Sequence, residues 1–233
     1  MKGKRVLFWT DLHAPFNHRD ALPFLKAVAK KYKTDTIICG GDEVDHYALS
    51  DYDKDSDAMS AKEEYMAALK VLAAFYKAFP KALVCTSNHV DRAERKRKAA
   101  GIPGAYVKSW NEVLQAPKGW RWSDSWTVDD VVYEHGHRLR GGNTATYDLP
   151  MTNGKSTVFG HFHARASVLY TATKEVLIFG MNAGCLIDIH SYAMAYGSSC
   201  KHRPVIGCAV VVNGQPIFVP MVLDRRGRWT GKL

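Results

Sequence analysis

Five short polar clusters, each at the end of an apolar run, hold most of the residues in this sequence that could do chemistry. They are Asp11-Leu12-His13, Gly41-Asp42-Glu43-Val44-Asp45, Ser87-Asn88-His89, His135-Gly136-His137 and Gly160-His161-Phe162-His163. Together they offer carboxylates, imidazoles and an amide, the side chains needed to hold two divalent cations a few ångströms apart. Imidazole-rich donor sets favour borderline transition metals over calcium or magnesium. The expected cofactors are therefore two divalent transition metals, manganese first, with iron, zinc, cobalt or nickel as alternatives. Two adjacent cations are a recurrent arrangement for attack at phosphorus, so the expected substrate is a phosphate ester. A lone aspartate or histidine at a strand end is more often a cap or a surface residue. What outweighs that reading here is five clusters in order.

The elements that must position these clusters can be read from the apolar pattern. Residues 5–10 form a buried strand, too short for a helix and followed by Asp11. Residues 20–31 have helical spacing through Ala21, Phe24, Leu25 and Val28, with Asp20 as N-cap. Residues 36–39 give a second strand ending at Gly40-Gly41. A long helix starts at Ser60, where Ser60 and Glu63 have capping-box spacing, and stops before Pro80. Residues 82–85 are a third strand. This β-α-β-α-β opening implies a parallel sheet with right-handed crossovers, and ligands gather at the carboxyl ends of such strands. Alternate residues of an extended segment share a face, so Asp11/His13 and His161/His163 can each aim two side chains at one cavity. His135 ends its apolar run directly and is preferred to His137 on that ground.

Beyond residue 120 the pattern becomes mostly strands, over 122–128, 131–134, 157–159, 166–171, 176–179, 205–212 and 216–222. Asn213-Gly214 is a two-residue hairpin signal between the last two. A helix over 144–151 is limited by Pro150. A mostly antiparallel second sheet facing the first, with helices outside, makes an α/β fold: a four-layer α-β-β-α sandwich of two facing mixed sheets. No linker or internal repeat interrupts it, so one domain over residues 1–233 is expected.

Composition narrows the function classes. Hydrophobic residues make up 46% of the 233-residue chain, which excludes disordered and collagen-like chains. No apolar run reaches the roughly 20 residues needed to span a bilayer, and residues 6–9 are too short for a signal-peptide core. No membrane partner and a cytoplasmic location are expected. The five cysteines are odd in number and lack a C-x-x-C pair, as suits a reducing compartment without structural disulfides. The formal net charge of +9 favours polyanions without sequence specificity. None of these features encodes an oligomeric state.

The ordered set D-x-H, G-D-x-x-D, N-H, H-G-H and G-H-x-H resembles the calcineurin-like metallophosphoesterases across most of the chain. Residues 180–222, with Tyr192 and the Asn-Gly hairpin, further look like a subgroup common in bacteriophage genomes; a phage-encoded protein would work in the host cytoplasm. The resemblance implies that Asp11, His13, Asp42 and His163 surround one metal and that Asp42, Asn88, His135 and His161 surround the other, with Asp42 bridging. It implies a metal-bridging hydroxide as nucleophile and His89 as the catalytic residue that donates a proton or hydrogen bond to the leaving oxygen. Asp45 is a candidate partner for a histidine ligand. His18, His46, His190 and His202 lack such context and read as surface or supporting residues. Two positions depart from the family pattern. Ser87 stands where glycine is usual and forgoes glycine's backbone freedom. Val90 replaces an acid, for which Asp91 is the nearest substitute.

The run from Arg92 to Lys98 places positive charge beside the site, and Arg92, Arg95 and His137 are candidate substrate-binding residues. The same run also reads as a solvated helix face. Arg138, Arg140 and Arg225-Arg226-Gly227-Arg228 add positive charge. Trp110, Trp120, Trp122 and Trp126 could stack bases, but the favoured reading is that they close the core. The expected function is a dinuclear metal-dependent phosphodiesterase or nuclease acting on nucleic acid, DNA or RNA, or on nucleotides. The alternatives are a phosphomonoesterase acting on a small phosphate ester or phosphoprotein, and a non-catalytic binding scaffold on the same fold.

Overall fold

The computed structural model describes residues 3–139, 142, 144–191 and 203–233. Arg140, Tyr192 and His202, named above, and Cys200, one of the five cysteines, lie outside the described residues. In chain order the elements are β1 (Arg5–Trp9), α1 (Ala21–Tyr32), β2 (Thr36–Cys39), α2 (Ala61–Ala78), β3 (Ala82–Cys85), α3 (Val90–Ala99), α4 (Trp110–Val113), β4 (Trp120–Ser123), β5 (Ser125–Val128), β6 (Val131–Glu134), α5 (Ala145–Asn153), β7 (Thr157–Phe159), β8 (Ala166–Ala172), β9 (Leu177–Ala183), β10 (Gly207–Val212) and β11 (Gln215–Pro220). A 3₁₀ turn, Tyr47–Leu49, follows the second polar cluster.

These strands build two mixed sheets, ordered β11-β10-β1-β2-β3-β4 and β5-β6-β7-β9-β8. In the first, β1 to β4 run parallel, while β10 and β11 add antiparallel beside β1. Period-two alternation on β1 divides the core. Val6 and Phe8 face the second sheet with Val131, Tyr133, Val158, Phe179 and Met181. Leu7 and Trp9 face outward, under Phe24, Leu25 and Val28 of α1 and Leu72 and Phe75 of α2. On the far side α5 buries Ala145 and Leu149 beside Phe159. The result is the four-layer α-β-β-α sandwich.

Several local expectations are corrected. The segment 122–128 is two strands in different sheets: β4 extends the first sheet and, after Asp124, β5 begins the second. The second sheet is evenly mixed, with β5–β6 and β8–β9 antiparallel and β6–β7 and β7–β9 parallel, and the β10–β11 hairpin joins the first sheet instead. Pro150 does not end its helix, which continues to Asn153 with Leu149 and Pro150 buried against β9. Tertiary burial outweighs the one lost backbone bond. The capping box of Ser60 and Glu63 forms as read.

The tryptophans are structural. Trp120, Trp122 and Trp126 donate their indole hydrogens to Phe79 O, Glu43 Oε1 and Val84 O, at 2.8, 2.9 and 2.9 Å. Trp110 packs near His46. Cys39, Cys85, Cys185 and Cys208 are buried free thiols. No helix among the described residues is long and apolar enough to cross a membrane.

Asp20 precedes α1 but caps nothing with its side chain. Its carboxylate instead takes Arg228 Nε and Nη2 at 2.7 and 2.6 Å, and the Trp229 amide at 3.0 Å. Arg228 is therefore spent on Asp20 rather than offered to a substrate. His18, read as a surface or supporting residue, is buried and joins the same clasp through Gly227 O. The bond from Arg228 is the main influence that pulls the Asp20 carboxyl down from 3.8 to about 2. With its folded value depressed, the stability it contributes is complete above the ordinary value and is lost as pH falls toward the depressed one. Asp20→Asn should lower the melting temperature near neutrality, and its gap to wild type should close as pH drops below about 4. A gap that stayed constant through that range would remove this ion pair from the clasp.

Candidate metal centre

The polar clusters meet where the carboxyl ends of β1, β2, β3, β6 and β7 converge. The β1–β2 ladder continues past both strands as staggered bonds: Asp11 N to Gly41 O, His13 N to Asp42 O and Ala14 N to Glu43 O, at 3.0, 2.8 and 3.1 Å. This extension is not extended chain. Asp11, His13, Asp42 and His161 all have left-handed backbone, with φ of 53°, 52°, 50° and 69°. The expectation that simple alternation aims the paired side chains is therefore corrected. Each left-handed non-glycine residue costs about 1–3 kcal/mol, and such residues gather at functional sites where the surroundings enforce them.

Two donor groups result. Asp11 Oδ1 lies 3.0 Å from His163 Nε2 and 3.8 Å from His13 Nε2, and the two imidazole nitrogens are 3.2 Å apart. On the other side His135 Nε2 lies 3.2 Å from Asp42 Oδ2 and 2.9 Å from Asn88 Oδ1, and His161 joins Asp42 and His135. Asp42 Oδ2 also stands 3.7 Å from His13 Nε2, so one carboxylate oxygen faces both groups. Its Oδ1 accepts the His89 amide at 3.2 Å. A single oxygen, Asp42 Oδ2, thus faces both donor groups.

Supporting bonds orient these atoms. His13 Nδ1 meets Asp45 Oδ2 at 2.8 Å, which turns Nε2 into the cluster as a carboxylate partner does for a ligating histidine. His135 Nδ1 donates to Gly40 O at 2.9 Å. With Nδ1 committed to Gly40 O, its Nε2 faces two oxygens, Asn88 Oδ1 and Asp42 Oδ2, a place that either a proton or a cation can fill. Atoms bonded to one cation at about 2.0–2.2 Å stand about 3.0–3.5 Å apart, and the shorter separations above match. The residues fit a cation pair.

Electrostatics point the same way. Burial alone would raise the carboxyls of Asp11 and Asp42, yet the surrounding histidines hold both well below the usual range. Burial disfavours charge on His13 and His135 too, but the carboxylates raise them to about 10 and about 9. His161 is lowered to about 4 by burial, then by His135. A buried centre dense in acceptors and relieved by positive charge is what a metal site needs.

Every proposed ligand is in this cluster, and the remaining candidates lie around it. His89 Nδ1 donates to Asp45 O at 2.7 Å, and its Nε2 accepts from Arg92 Nη2 at 3.1 Å, 3.9 Å from Asp42 Oδ2. Arg92 also reaches Asp45 O at 3.1 Å, so its position is that of a clamp on His89 and Asp45. Arg95 contacts the Asn88 carbonyl at 3.3 Å. His137 lies beside His135, its ring centroid 5.3 Å away, and burial followed by His135 lowers it to about 4. Asp91 does not replace the missing acid at His89. Its charged neighbours are Arg95, Arg138, Asp124 and Lys98, whereas Asp45 and Arg92 hold His89.

Four further residues contribute that the sequence reading gave no role in the site. Thr10 Oγ1 and the His161 amide both donate to Asp11 Oδ2, at 2.7 and 3.0 Å. Gly160 makes room for them, because a Cβ there would stand 2.4 Å from that oxygen. His46 Nδ1 meets His89 O at 3.0 Å. Glu43 is fully buried against Trp122, and burial pushes its carboxyl up to about 7. The substitution at Ser87 also acquires a reason. Its hydroxyl accepts the Asp42 amide at 2.9 Å, and it packs so closely on Gly41, at φ 95°, that a Cβ on Gly41 would lie 2.7 Å from the serine Cβ. Ser87 has no need of glycine's conformations, because its own backbone is not among those with positive φ.

The chain belongs to the calcineurin-like phosphoesterases: the family profile of that description matches residues 4–159, two residues short of His161. Among solved structures, vacuolar protein sorting 29 from Cryptosporidium parvum has a TM-score of 0.44 at 10% identity, covering 93% of this chain and 96% of that one. Vps29 from Chaetomium thermophilum has a TM-score of 0.47 at 10% identity, covering 89% and 83%. Likenesses this weak carry no argument about role. No curated protein matches the chain in sequence.

Two variants test the geometry. Asp42→Asn should bind less than the full metal complement, as measured by elemental analysis after gel filtration; full occupancy would end its bridging assignment. Ser87→Ala leaves the buried Asp42 amide without its acceptor and should cost about 1–3 kcal/mol in urea unfolding of the metal-stripped protein. No loss there would mean that the hydroxyl is not holding the turn.

Proposed function

We propose that this chain is a dinuclear metal-dependent phosphodiesterase acting on nucleic acid or nucleotides. The observation that carries the reading is the convergence of Asp11, His13 and His163 on one side, and Asn88, His135 and His161 on the other, about the single oxygen Asp42 Oδ2. Bound there, a pair of divalent cations supplies Lewis acidity toward phosphate oxygens and an activated water.

The chain's own residues do the rest. Asp45 and Gly40 O fix the two ligand imidazoles, so that the donor set is in place before substrate arrives. His89, at the border of the cluster with its side chain 16% exposed, is the group that delivers a proton or hydrogen bond to the leaving oxygen. In the tautomer described, Nδ1 carries the hydrogen held by Asp45 O, and Nε2 takes one from Arg92. Donation from Nε2 therefore requires it to gain its own proton and Arg92 to move off, which frees that guanidinium for the phosphate. Basic helix α3 favours a diester within a polyanion over a small monoester.

Hydrolysis of bis-p-nitrophenyl phosphate and p-nitrophenyl phosphate under Mn²⁺ tests this directly. The diester should be the better substrate, and chelation should abolish its turnover. Preference for the monoester would replace the reading with a phosphomonoesterase, and inertness toward both would replace it with a binding scaffold. His89→Ala should keep its metals but lose about 10²–10⁴-fold in turnover on esters with poor leaving groups. Unchanged rates would remove His89 from the chemistry.

A further inference from the structure

Beside His89, a cleft of about 200 Å³ opens between the 3₁₀ turn Tyr47–Leu49 and α3, lined by Leu49, Asp51, Arg92, Arg95, Lys96 and Ala99. Three of the six are cations. An oxyanion of the chain itself already sits among them, because the Asp51 carboxylate pairs with Lys96. Lys96 first, with Arg95 and Arg92 adding, holds that carboxyl below its ordinary value although it is exposed. The acid within the basic run is turned elsewhere, Glu94 being engaged by Arg97 and Lys98. Asp91, the acid facing Arg95, does not line the cleft. Arg95 and Lys96 lie six and seven residues beyond His89, about 9–10 Å along the helix axis. The Arg95 guanidinium also touches the Asn88 carbonyl, which joins the cleft to the metal centre.

We infer that this cleft is a second phosphate subsite, which takes a neighbouring backbone phosphate of a polynucleotide strand whose scissile phosphate lies at the metal centre. Asp51 holds the place in the free protein and is displaced when the strand binds. This deepens the phosphodiesterase reading and rests on it: the substrate class becomes a polynucleotide rather than an isolated nucleotide diester. Substrates with one phosphate leave the subsite unused.

Equilibrium binding of a fluorescein-labelled single-stranded oligonucleotide decides the matter, followed by anisotropy with Ca²⁺ replacing Mn²⁺ to prevent cleavage. Arg95→Ala/Lys96→Ala should weaken binding about tenfold and flatten the salt dependence of log Kd by about 1.4, that is about 0.7 for each lost contact. Asp51→Asn should tighten binding, because it removes the competing carboxylate. Lys30→Ala/Lys31→Ala takes the same charge from α1 and controls for net charge. In cleavage assays the ratio of kcat/KM for oligonucleotide to that for bis-p-nitrophenyl phosphate should fall with the Arg95/Lys96 pair. Equal binding losses for the α3 and α1 pairs would overturn the subsite. Hydrolysis of the small diester without a specific α3 effect sinks only the subsite. A specific α3 effect without diester hydrolysis sinks only the phosphodiesterase reading.

Discussion

Asp11 and Asp42 are carboxylates removed almost entirely from water, and every histidine arrangement around them answers that fact. An isolated buried carboxylate is untenable unless positive charge or hydrogen bonds meet it. Here the ion-pair partners among the described residues are histidines alone: His13 and His163 for Asp11, and His13, His89 and His135 for Asp42. Imidazole can carry a proton or give up its lone pair to a cation, whereas lysine and arginine can do only the former at neutral pH. The cluster is therefore built so that the same nitrogens can exchange protons for metal. Asp45, which orients His13 and anchors His89, couples that exchange to the His89 side chain.

The left-handed residues explain how so short a stretch of chain reaches so small a volume. An extended continuation of β1 would carry the chain away from the strand ends at about 3.3 Å per residue. The αL residues Asp11 and His13 coil it tightly, while the staggered bonds to Gly41, Asp42 and Glu43 keep it locked to the neighbouring loop. Asp42 itself is held by the Ser87 hydroxyl and by the close fit of Gly41. Strain of this kind persists only where neighbouring bonds over-determine it. The loops carrying Asp11, Asp42 and His161 constrain one another in that way, through Thr10, Gly160 and the His161 amide.

Much of this was legible in the sequence because the first three strands are short, apolar and terminated by polar residues, a pattern with few competing interpretations. The residues that cluster were legible by type and order. Their conformation was not, since nothing in D-x-H announces two left-handed residues. Sheet membership was also hidden. Residues 122–128 form one unbroken run in composition, and the change of sheet at Asp124 depends on Trp122 reaching Glu43 and on Trp126 reaching Val84, contacts separated by 79 and 42 positions. Asp20 has the residue type and place of an N-cap, and only the distant Arg228 reveals its other employment. Arg92 likewise reads as a free cation until Asp45 and His89 are seen beside it.

The position of β1 between β2 and β10 has a consequence for biogenesis. Arg5 to Phe8 must find Val212 to Ala209 as partners, so β1 keeps one hydrogen-bonding edge open until the distant β10 has emerged. Such long-range pairing makes folding slow and leaves an apolar ribbon exposed to other nascent chains. The Leu186 amide, which binds Asp11 O, arrives late as well. The Asp11 and Asp42 loops are thus translated early but locked late, and the cluster cannot mature on the ribosome until these later supporting segments have been delivered.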